Sequence, residues 1–413
     1  MTGKTRVELF PLHVKQDANQ FIVGRPATGS YVALSDGALA ATELLSGGRT
    51  VQDTKAALAR GRPVPALRLR PLIETLLATG LVKSVDGVPL PEPLPPRRYH
   101  LSVLKQRHVA WLFSRFAAVG YAVLVSLAIG IVLGEPGYLP RAADARVVPG
   151  PIMNLAIVWA VSTMAMVAHE LAHLIAATYL GVRASFGLSN RLFFAVAQTD
   201  LTDLWLVDRR RRYIAYAAGM ANDILLASAA VVALWLHDQG LLPLPYPLYG
   251  TLRLAVLVLL LGVLWQFNFY LRTDVYYLIA NFTGCRNLSQ DAAAYLKRIF
   301  SRLAGRRAPS PLAGVPEQER RFVRAFAVIM LVGTGGVIAV GAAFLVGLLH
   351  LLLNGDGPLL GSAGSPALQG RPASLFPVIA SLGLTCCWVA YGVAAKRRKR
   401  PRVSYRLRAP EDL

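Results

Sequence analysis

The stretch VSTMAMVAHELAHLIAATYLG, residues 161–181, sets two histidines and a glutamate within an otherwise apolar run. An apolar run of about 20 residues has the length that a helix needs to cross a bilayer. Ionisable side chains inside such a helix are costly, so those that do occur there are candidates for a function. The stretch therefore predicts a transmembrane helix that carries a chemical site.

The composition of the whole chain agrees with this interpretation. Its 413 residues are 54% hydrophobic and only 16% charged, and the mean hydropathy is +0.45. These values favour a polytopic membrane protein over a soluble enzyme. The cysteines, Cys285, Cys386 and Cys387, lack the spacing of zinc ligands and cannot form a disulfide framework.

Apolar segments of transmembrane length recur along the chain after residue 110. By length and apolarity we predict about six transmembrane helices, and hence an α-helical polytopic membrane protein. Their expected positions are 111–133, 152–180, 213–236, 251–271, 323–353 and 375–395.

The positive residues behind the net charge of +21 are distributed unevenly among the loops, and this distribution predicts how the helices are oriented across the membrane. Lysine and arginine are frequent at 209–212, at 297–307 and in KRRKRPR at 396–402, whereas loops 134–151 and 237–250 contain few. Because positive residues favour the cytoplasmic side, both termini are predicted to be cytoplasmic in a multi-pass protein of the cell membrane. The histidine pair then lies in the cytoplasmic half of the bilayer, and the basic tail lies beside anionic lipid.

Residues 1–90 have the pattern of a small α+β domain of winged-helix-like type. A hairpin formed by FIVGR and GSYVAL, within 21–34, precedes helices and a closing strand. The helices are expected at 35–48, 50–59 and 66–80, and the strand at 81–87. The domain is only weakly basic, so the lipid bilayer is a predicted partner and nucleic acid is not.

Composition also predicts the remaining domain boundaries. A proline-rich linker is expected at 91–110, because PLPEPLPPRR favours an extended chain. The membrane domain follows at 111–395, and a basic cytoplasmic tail occupies 396–413. Turn residues within 181–205 predict a short hairpin at the cytoplasmic interface.

The HELAH motif predicts zinc chemistry. His169 and His173 are four residues apart, so both imidazoles project from one helix face and can bind one Zn²⁺ ion. Glu170 is offset on the helix and can accept a proton from a water molecule that the metal activates. A third ligand is needed, and position along the chain leaves two candidates, Asp223 in the third predicted span and Asp274 after the fourth.

At this point the sequence resembles the site-2 protease family of intramembrane zinc metallopeptidases. In that family an HExxH helix is followed by a segment of the form Asn-Pro-x-x-x-x-Asp-Gly-Tyr-Tyr. The corresponding segment here is NFYLRTDVYYLI, with Asn268, Asp274, Tyr276 and Tyr277 at matching positions. Phe269 stands in place of the proline, and a valine in place of the glycine.

The resemblance implies a role for each of these residues. His169, His173 and Asp274 would bind the zinc ion, and Glu170 would be the catalytic base. Asn268 would position the substrate or its polarised carbonyl. Asp223 would fall on a supporting helix beside the zinc helix and would not be a ligand. The hairpin within 181–205 would hold an extended substrate.

The N-terminal domain carries a second resemblance. The segment from FIVGRPATGSYVALSDGALAATELLSGG (21–48) to LIETLLATGLVKSVDG (72–87) is similar to the PqqD-like fold. That fold serves as a leader-peptide recognition element in ribosomal peptide biosynthesis. The resemblance implies that residues 1–90 bind a leader peptide as an added strand at a sheet edge.

Together these inferences predict a zinc metalloendopeptidase that hydrolyses a peptide bond near the cytoplasmic face. Its expected substrate is a ribosomally synthesised precursor peptide. One alternative is a protease of the same chemistry that cuts transmembrane regulators. A second alternative is a non-catalytic immunity protein or export partner, against which the intact HELAH motif argues.

Overall fold

The computed structural model describes residues 4–17, 20–60, 69–91, 104–191, 194–306 and 311–354. Within these ranges the protein is mostly helical, with a small β-rich region at its N-terminus. The predicted sixth span at 375–395 and the basic tail lie outside the described residues, as do Cys386, Cys387 and most of the proline-rich linker.

The N-terminal region combines short strands with three described helices. The strands form two three-stranded antiparallel sheets within the described residues, one in the order β2-β3-β4 and the other in the order β1-β5-β6. The elements are β1 (Val7–Leu9), β2 (His13–Asp17), β3 (Gln20–Arg25), β4 (Ser30–Leu34), α1 (Asp36–Ser46), α2 (Val51–Arg60), α3 (Leu69–Ala78), β5 (Val82–Val85) and β6 (Val88–Pro89).

This region has its own hydrophobic core. Val23 and Val32 from the β3–β4 hairpin pack with Leu45 of α1 and with Leu72 and Leu76 of α3, all fully buried. Such burial contributes roughly 1.5–3 kcal/mol per large side chain before entropy is subtracted. The predicted hairpin, helices and closing strand are found at the expected places, whereas β1, β2 and β6 were not predicted.

The rest of the described chain is dominated by long helices. Five of them among the described residues, α5, α6, α7, α8 and α11 in the series that follows, are long and apolar enough to cross a membrane. The elements are α4 (Gln106–Val109), α5 (Arg115–Gly134), α6 (Pro151–Tyr179), β7 (Ser185–Arg191), β8 (Phe194–Asp200), α7 (Arg209–Asp238), α8 (Tyr246–Trp265), α9 (Asp274–Thr283), α10 (Leu288–Leu303) and α11 (Glu317–Asn354).

The surface of these helices is apolar in the way that a lipid-facing surface is. Phe116 and Leu133 on α5 are 83% and 77% exposed, and Met164 on α6 is 72% exposed. A water-soluble protein rarely exposes so many large apolar side chains on contiguous helices. Five of the predicted spans correspond to helices at the expected positions, and the strands β7 and β8 pair as an antiparallel hairpin.

Helix α7 lies at the centre of the membrane part. It packs against α5, α6, α8 and α9, and small buried residues such as Ala215, Gly219 and Ala227 lie along it. Small side chains let helix backbones approach closely where lipid supplies little driving force for association. This close approach brings α7 next to the histidines of α6.

The predicted fourth span, 251–271, is wrong at its C-terminal end. Helix α8 ends at Trp265, and the chain turns through a 3₁₀ turn at Phe269–Leu271 before α9. The Thr273 hydroxyl donates to the carbonyl of Gln266 at 2.5 Å, and Arg272 adopts a left-handed conformation with φ of 63°. The predicted span ran through this turn because its apolar residues continue those of α8, whereas the hydrogen bonds that close the turn depend on the folded backbone.

The N-terminal region is docked on the membrane part. Ile22, Tyr31 and Ala33 pack against Trp205 and Leu206, which precede α7. The Tyr31 hydroxyl donates to Asp203 Oδ1 at 2.8 Å. The sequence predicted a linker between two domains and gave no sign of this contact.

Charged groups surround the apolar contact. Asp17 lies between two guanidinium groups, with 3.2 Å from its Oδ1 to Arg212 and 3.3 Å from its Oδ2 to Arg286. Arg286 also donates to Gln20. Nearby, the more exposed Lys15 and Asp208 pair at 2.7 Å, and the hydrogen bond from Lys15 lowers the pKa of the Asp208 carboxyl.

We expect Asp17→Asn to weaken this docking by about 3 kcal/mol, since it leaves two largely buried guanidinium groups without their carboxylate. The full-length protein in detergent should melt at a lower temperature, with faster hydrogen exchange in β2 and at the start of α7. Asp208→Asn is the matched control, and its melting should stay near wild type because exposed ion pairs contribute little. Equal effects of the two variants would contradict the assignment.

Candidate metal centre

Three electron-rich atoms from distant parts of the chain meet in the membrane part. Asp274 Oδ2 lies 2.9 Å from His169 Nε2 and 3.1 Å from His173 Nε2. The two Nε2 atoms are 3.3 Å apart. His169 and His173 are buried on α6, and Asp274 is the first residue of α9. The structure thus brings together the histidine pair that the motif predicts and the aspartate that the family resemblance implies as the third ligand.

The outer nitrogens of the two imidazoles are already engaged. His173 Nδ1 lies 2.7 Å from the carbonyl oxygen of Ala215, and His169 Nδ1 lies 2.7 Å from Asp223 Oδ2. A carbonyl or carboxylate oxygen only accepts, so each Nδ1 must carry the proton. In each neutral imidazole Nε2 is then left with its lone pair facing the shared space. This is the arrangement in which histidine binds a metal through one nitrogen while a neighbour orients the ring through the other.

The spacing and chemistry of the three atoms fit a zinc ion. Two ligands of a tetrahedral zinc at bond lengths of about 2.0–2.1 Å lie about 3.3 Å apart. The three separations here are 3.3, 2.9 and 3.1 Å. With each imidazole protonated on Nδ1 alone, the two Nε2 lone pairs and the carboxylate would repel one another, and a cation between them would remove that repulsion. Two imidazoles and one carboxylate also form a known catalytic zinc set, with a fourth position for water or substrate.

The geometry distinguishes Asp274 from Asp223, which the sequence pattern alone left as alternative third ligands. Asp274 faces Nε2 of both histidines, whereas Asp223 contacts the opposite nitrogen of His169. Asp223 is itself buried on α7. Its place is that of a supporting residue that orients the imidazole.

Gly219 provides the space in which His169 sits. A β-carbon added at Gly219 would lie 2.3 Å from His169 Nε2, far inside van der Waals contact. Ala215, Gly219 and Asp223 follow one another at four-residue intervals and therefore lie along one face of α7. Along that face the two histidines meet, in order, the carbonyl oxygen of Ala215, the space left by Gly219 and the carboxylate of Asp223.

Glu170 is bound to the hairpin and not to the other titratable groups of the cluster. Its Oε2 accepts hydrogen bonds from the backbone N–H and from the hydroxyl of Thr199, each at 2.7 Å. Thr199 is buried on β8. Sequence reasoning did not find Thr199, because this contact joins residues 29 positions apart through a hairpin whose register the sequence leaves open.

A second residue at the centre that sequence reasoning missed is Gln266, just after α8. Its Oε1 accepts a hydrogen bond from the backbone N–H of Asp274 at 3.1 Å, and its Nε2 lies 3.5 Å from His169 Nε2. Gln266 therefore fixes the start of α9 and brings an amide N–H to the edge of the centre. The sequence signal that could have identified Gln266 was the presence of a glutamine within an apolar segment.

Asn268 makes its hydrogen bonds within the turn. It donates to the carbonyl of Trp265 at 3.0 Å and accepts from the Tyr270 hydroxyl at 2.9 Å. These contacts stabilise the turn between α8 and α9, which presents Asp274. A role of Asn268 in substrate positioning stays a prediction.

Comparison of the chain with protein-family models, curated proteins and solved structures finds no match. By its fold and its centre the chain is a helical protein with five candidate membrane spans in its described part and a cluster of two buried histidines and one partly buried aspartate.

Proposed function

We propose that this protein is a membrane-embedded zinc metalloendopeptidase. The observation that carries the proposal is the meeting of the two histidine Nε2 atoms and one carboxylate oxygen within 3.3 Å of one another, beside Glu170 on the same helix. The resemblance of the HELAH and NFYLRTDVYYLI segments to site-2 proteases supports the same reaction.

His169, His173 and Asp274 would hold the ion. Zinc held there would supply a Lewis acid, which polarises a peptide carbonyl and makes water more acidic. Glu170 would accept one proton from a water molecule as the water oxygen bonds to the carbonyl carbon, and would return that proton to the nitrogen of the leaving amine as the peptide C–N bond breaks. The two hydrogen bonds from Thr199 to the Glu170 carboxylate both fall on Oε2, so Oε1 would be the oxygen that takes the proton. Gln266, whose Nε2 lies 3.5 Å from His169 Nε2, would donate from its amide to the substrate carbonyl.

An extended peptide is the substrate form that this site suits. A helical peptide hides its carbonyls in its own hydrogen bonds, so a protease must hold its substrate extended. The β7–β8 hairpin packs against α6 next to Glu170, and a peptide paired with it would pass the base. The hairpin would then bind the substrate and orient the catalytic carboxylate at once.

The N-terminal region suggests which peptides are processed. Its β2-β3-β4 sheet contacts Asp203, Trp205 and Leu206, which lie three to six residues after the end of the hairpin strand β8. A leader peptide added to this sheet, as in PqqD-like domains, would deliver the following segment toward the hairpin. We therefore propose a ribosomally made precursor peptide as substrate, cut near the cytoplasmic face of the cell membrane, with both termini of the enzyme cytoplasmic.

The proposal predicts a zinc-dependent activity of the purified full-length protein in detergent. We expect one zinc per chain by elemental analysis, and cleavage of a peptide library followed by mass spectrometry. Chelation should remove the activity, because the ion supplies the Lewis acid, and added zinc should restore it. A chain that binds no zinc and cleaves no peptide would be the non-catalytic alternative. Cleavage of single-span proteins but not of leader-bearing peptides would favour the alternative of a regulator-cutting protease.

A further inference from the structure

A cavity of about 370 Å³ lies between α10 and the start of α11. Tyr295, Arg298 and Arg302 line it from α10, and Arg320 and Arg324 line it from α11. These residues lie outside the metal centre, and the proposed peptidase reaction makes no use of them. The cavity volume is within the range of about 300–1,000 Å³ that is usual for small-molecule sites.

The arginines are arranged as two facing pairs. Arg298 and Arg302 are four residues apart on one helix, and Arg320 and Arg324 are four residues apart on the other, so each pair shares a helix face. Like charges at this spacing are unfavourable on a helix, and here two such pairs face one space. The side chains that the structure describes as lining the cavity include no acidic residue. The cavity is therefore a concentrated positive site, which an anion would stabilise.

Neighbouring contacts hold parts of this site in place. The Nε of Arg320 donates to the carbonyl of Val315 at 2.9 Å, which fixes the direction of its guanidinium group. The adjacent acid, Glu319, interacts with Cys285 and Arg286 and is not among the residues that line the cavity. Buried Leu312 closes the cavity with apolar surface.

The surroundings of the cavity indicate a ligand with an apolar part. Phe300 and Leu303 at the end of α10 are 52% and 78% exposed, and Val328 on α11 is 61% exposed. Arg320 and Arg324 lie in the first two turns of α11, a helix that can cross a membrane. Basic residues beside exposed apolar ones at the end of a spanning helix suit a membrane surface with anionic lipid.

We propose that this cavity binds the phosphate group of an anionic phospholipid. The guanidinium group forms paired hydrogen bonds with phosphate oxygens, which makes arginine well suited to this ligand. The exposed apolar side chains of α10 and α11 then lie where the acyl chains of the lipid would run. Free phosphate shares the headgroup chemistry and lacks the acyl chains, so the two ligands can be told apart.

The test uses the full-length protein in detergent, with lipid adducts counted by native mass spectrometry. Phosphatidylglycerol, phosphatidylcholine and inorganic phosphate are added separately. We expect phosphatidylglycerol to bind about tenfold or more tightly than phosphatidylcholine, because each arginine near anionic lipid contributes measurably. Inorganic phosphate at the same concentration should not displace it.

The double variant Arg302→Gln and Arg324→Gln should abolish this preference, and both positions are exposed enough to leave folding intact. The matched control is Arg306→Gln with Arg321→Gln, which removes the same charge from neighbouring positions outside the cavity. The control should keep the preference. An equal loss in the control, or no preference in the wild type, would overturn the proposal. Displacement by inorganic phosphate would overturn the lipid as the ligand.

Discussion

Replacing Glu170 with glutamine is expected to lower peptide hydrolysis by about 10²–10⁴-fold, the usual contribution of a general base. The amide of glutamine cannot accept a proton from water, but its oxygen can still accept the hydrogen bonds from Thr199. The hairpin should therefore keep its place, and His169, His173 and Asp274 are untouched. Zinc content by elemental analysis should stay at one per chain while cleaved peptide disappears from the mass spectrum.

Thr199→Val provides the control for this variant. It removes the hydroxyl that donates to Glu170, and it leaves both the carboxylate and the backbone N–H bond in place. We expect a smaller loss, about tenfold, in keeping with the removal of one of two orienting hydrogen bonds. If the Glu170→Gln variant hydrolysed peptide at the wild-type rate, Glu170 would not be the base. Loss of zinc together with activity would show that the residue supports the fold of the centre.

The second large effect is expected from Gly219→Ala. The added methyl group would lie 2.3 Å from His169 Nε2 and 2.5 Å from its Cε1, and neither position is compatible with an unmoved ring. The imidazole is held by Asp223 on one side and faces Asp274 on the other, so its displacement disrupts the ligand set. We expect zinc affinity to fall by about 100-fold or more, since even indirect supports of a metal ligand are worth 10–100-fold.

Gly262→Ala on α8 is the matched control. A β-carbon there would lie 3.7 Å from Asp223 Oδ2, an ordinary contact. Both changes replace glycine by alanine inside a helix, which favours the helix by about 1 kcal/mol. A difference in zinc titration between the two variants therefore reports the clash with His169. If Gly219→Ala binds zinc as well as Gly262→Ala does, the described position of His169 is wrong.

Local sequence signals were sufficient for much of the fold. The five spans found among the described residues follow from length and apolarity, which are properties of each segment alone. The β3–β4 hairpin also follows from local pattern, as does α2, at whose start Thr50 and Asp53 form hydrogen bonds of 2.7 and 3.1 Å. The pair His169 and His173 is likewise local, since a helix places residues four apart on one face.

Contacts between distant segments could not be predicted in the same way. Asp274 and His169 are 105 residues apart, and only the resemblance to a known family chose Asp274 over Asp223. Thr199 lies near the centre because of the register of the β7–β8 hairpin, and Gln266 lies there because α8 ends just before it. Apolar composition reveals neither feature. The docking of Asp17 on Arg212 and Arg286 depends on three segments whose charges appear unremarkable when read separately.

The docked N-terminal region also has a consequence for biosynthesis. Its core is complete within the first 90 residues or so, so it can fold while the rest of the chain is still on the ribosome. Tyr31, however, must wait for Asp203, which is 172 residues further along. Counted from the folding of the region at about residue 90, the wait covers about 113 residues, which at about 5–20 residues per second takes on the order of 6–23 s. During that interval the surface formed by Ile22, Tyr31 and Ala33 is exposed. It packs against Trp205 only later in translation.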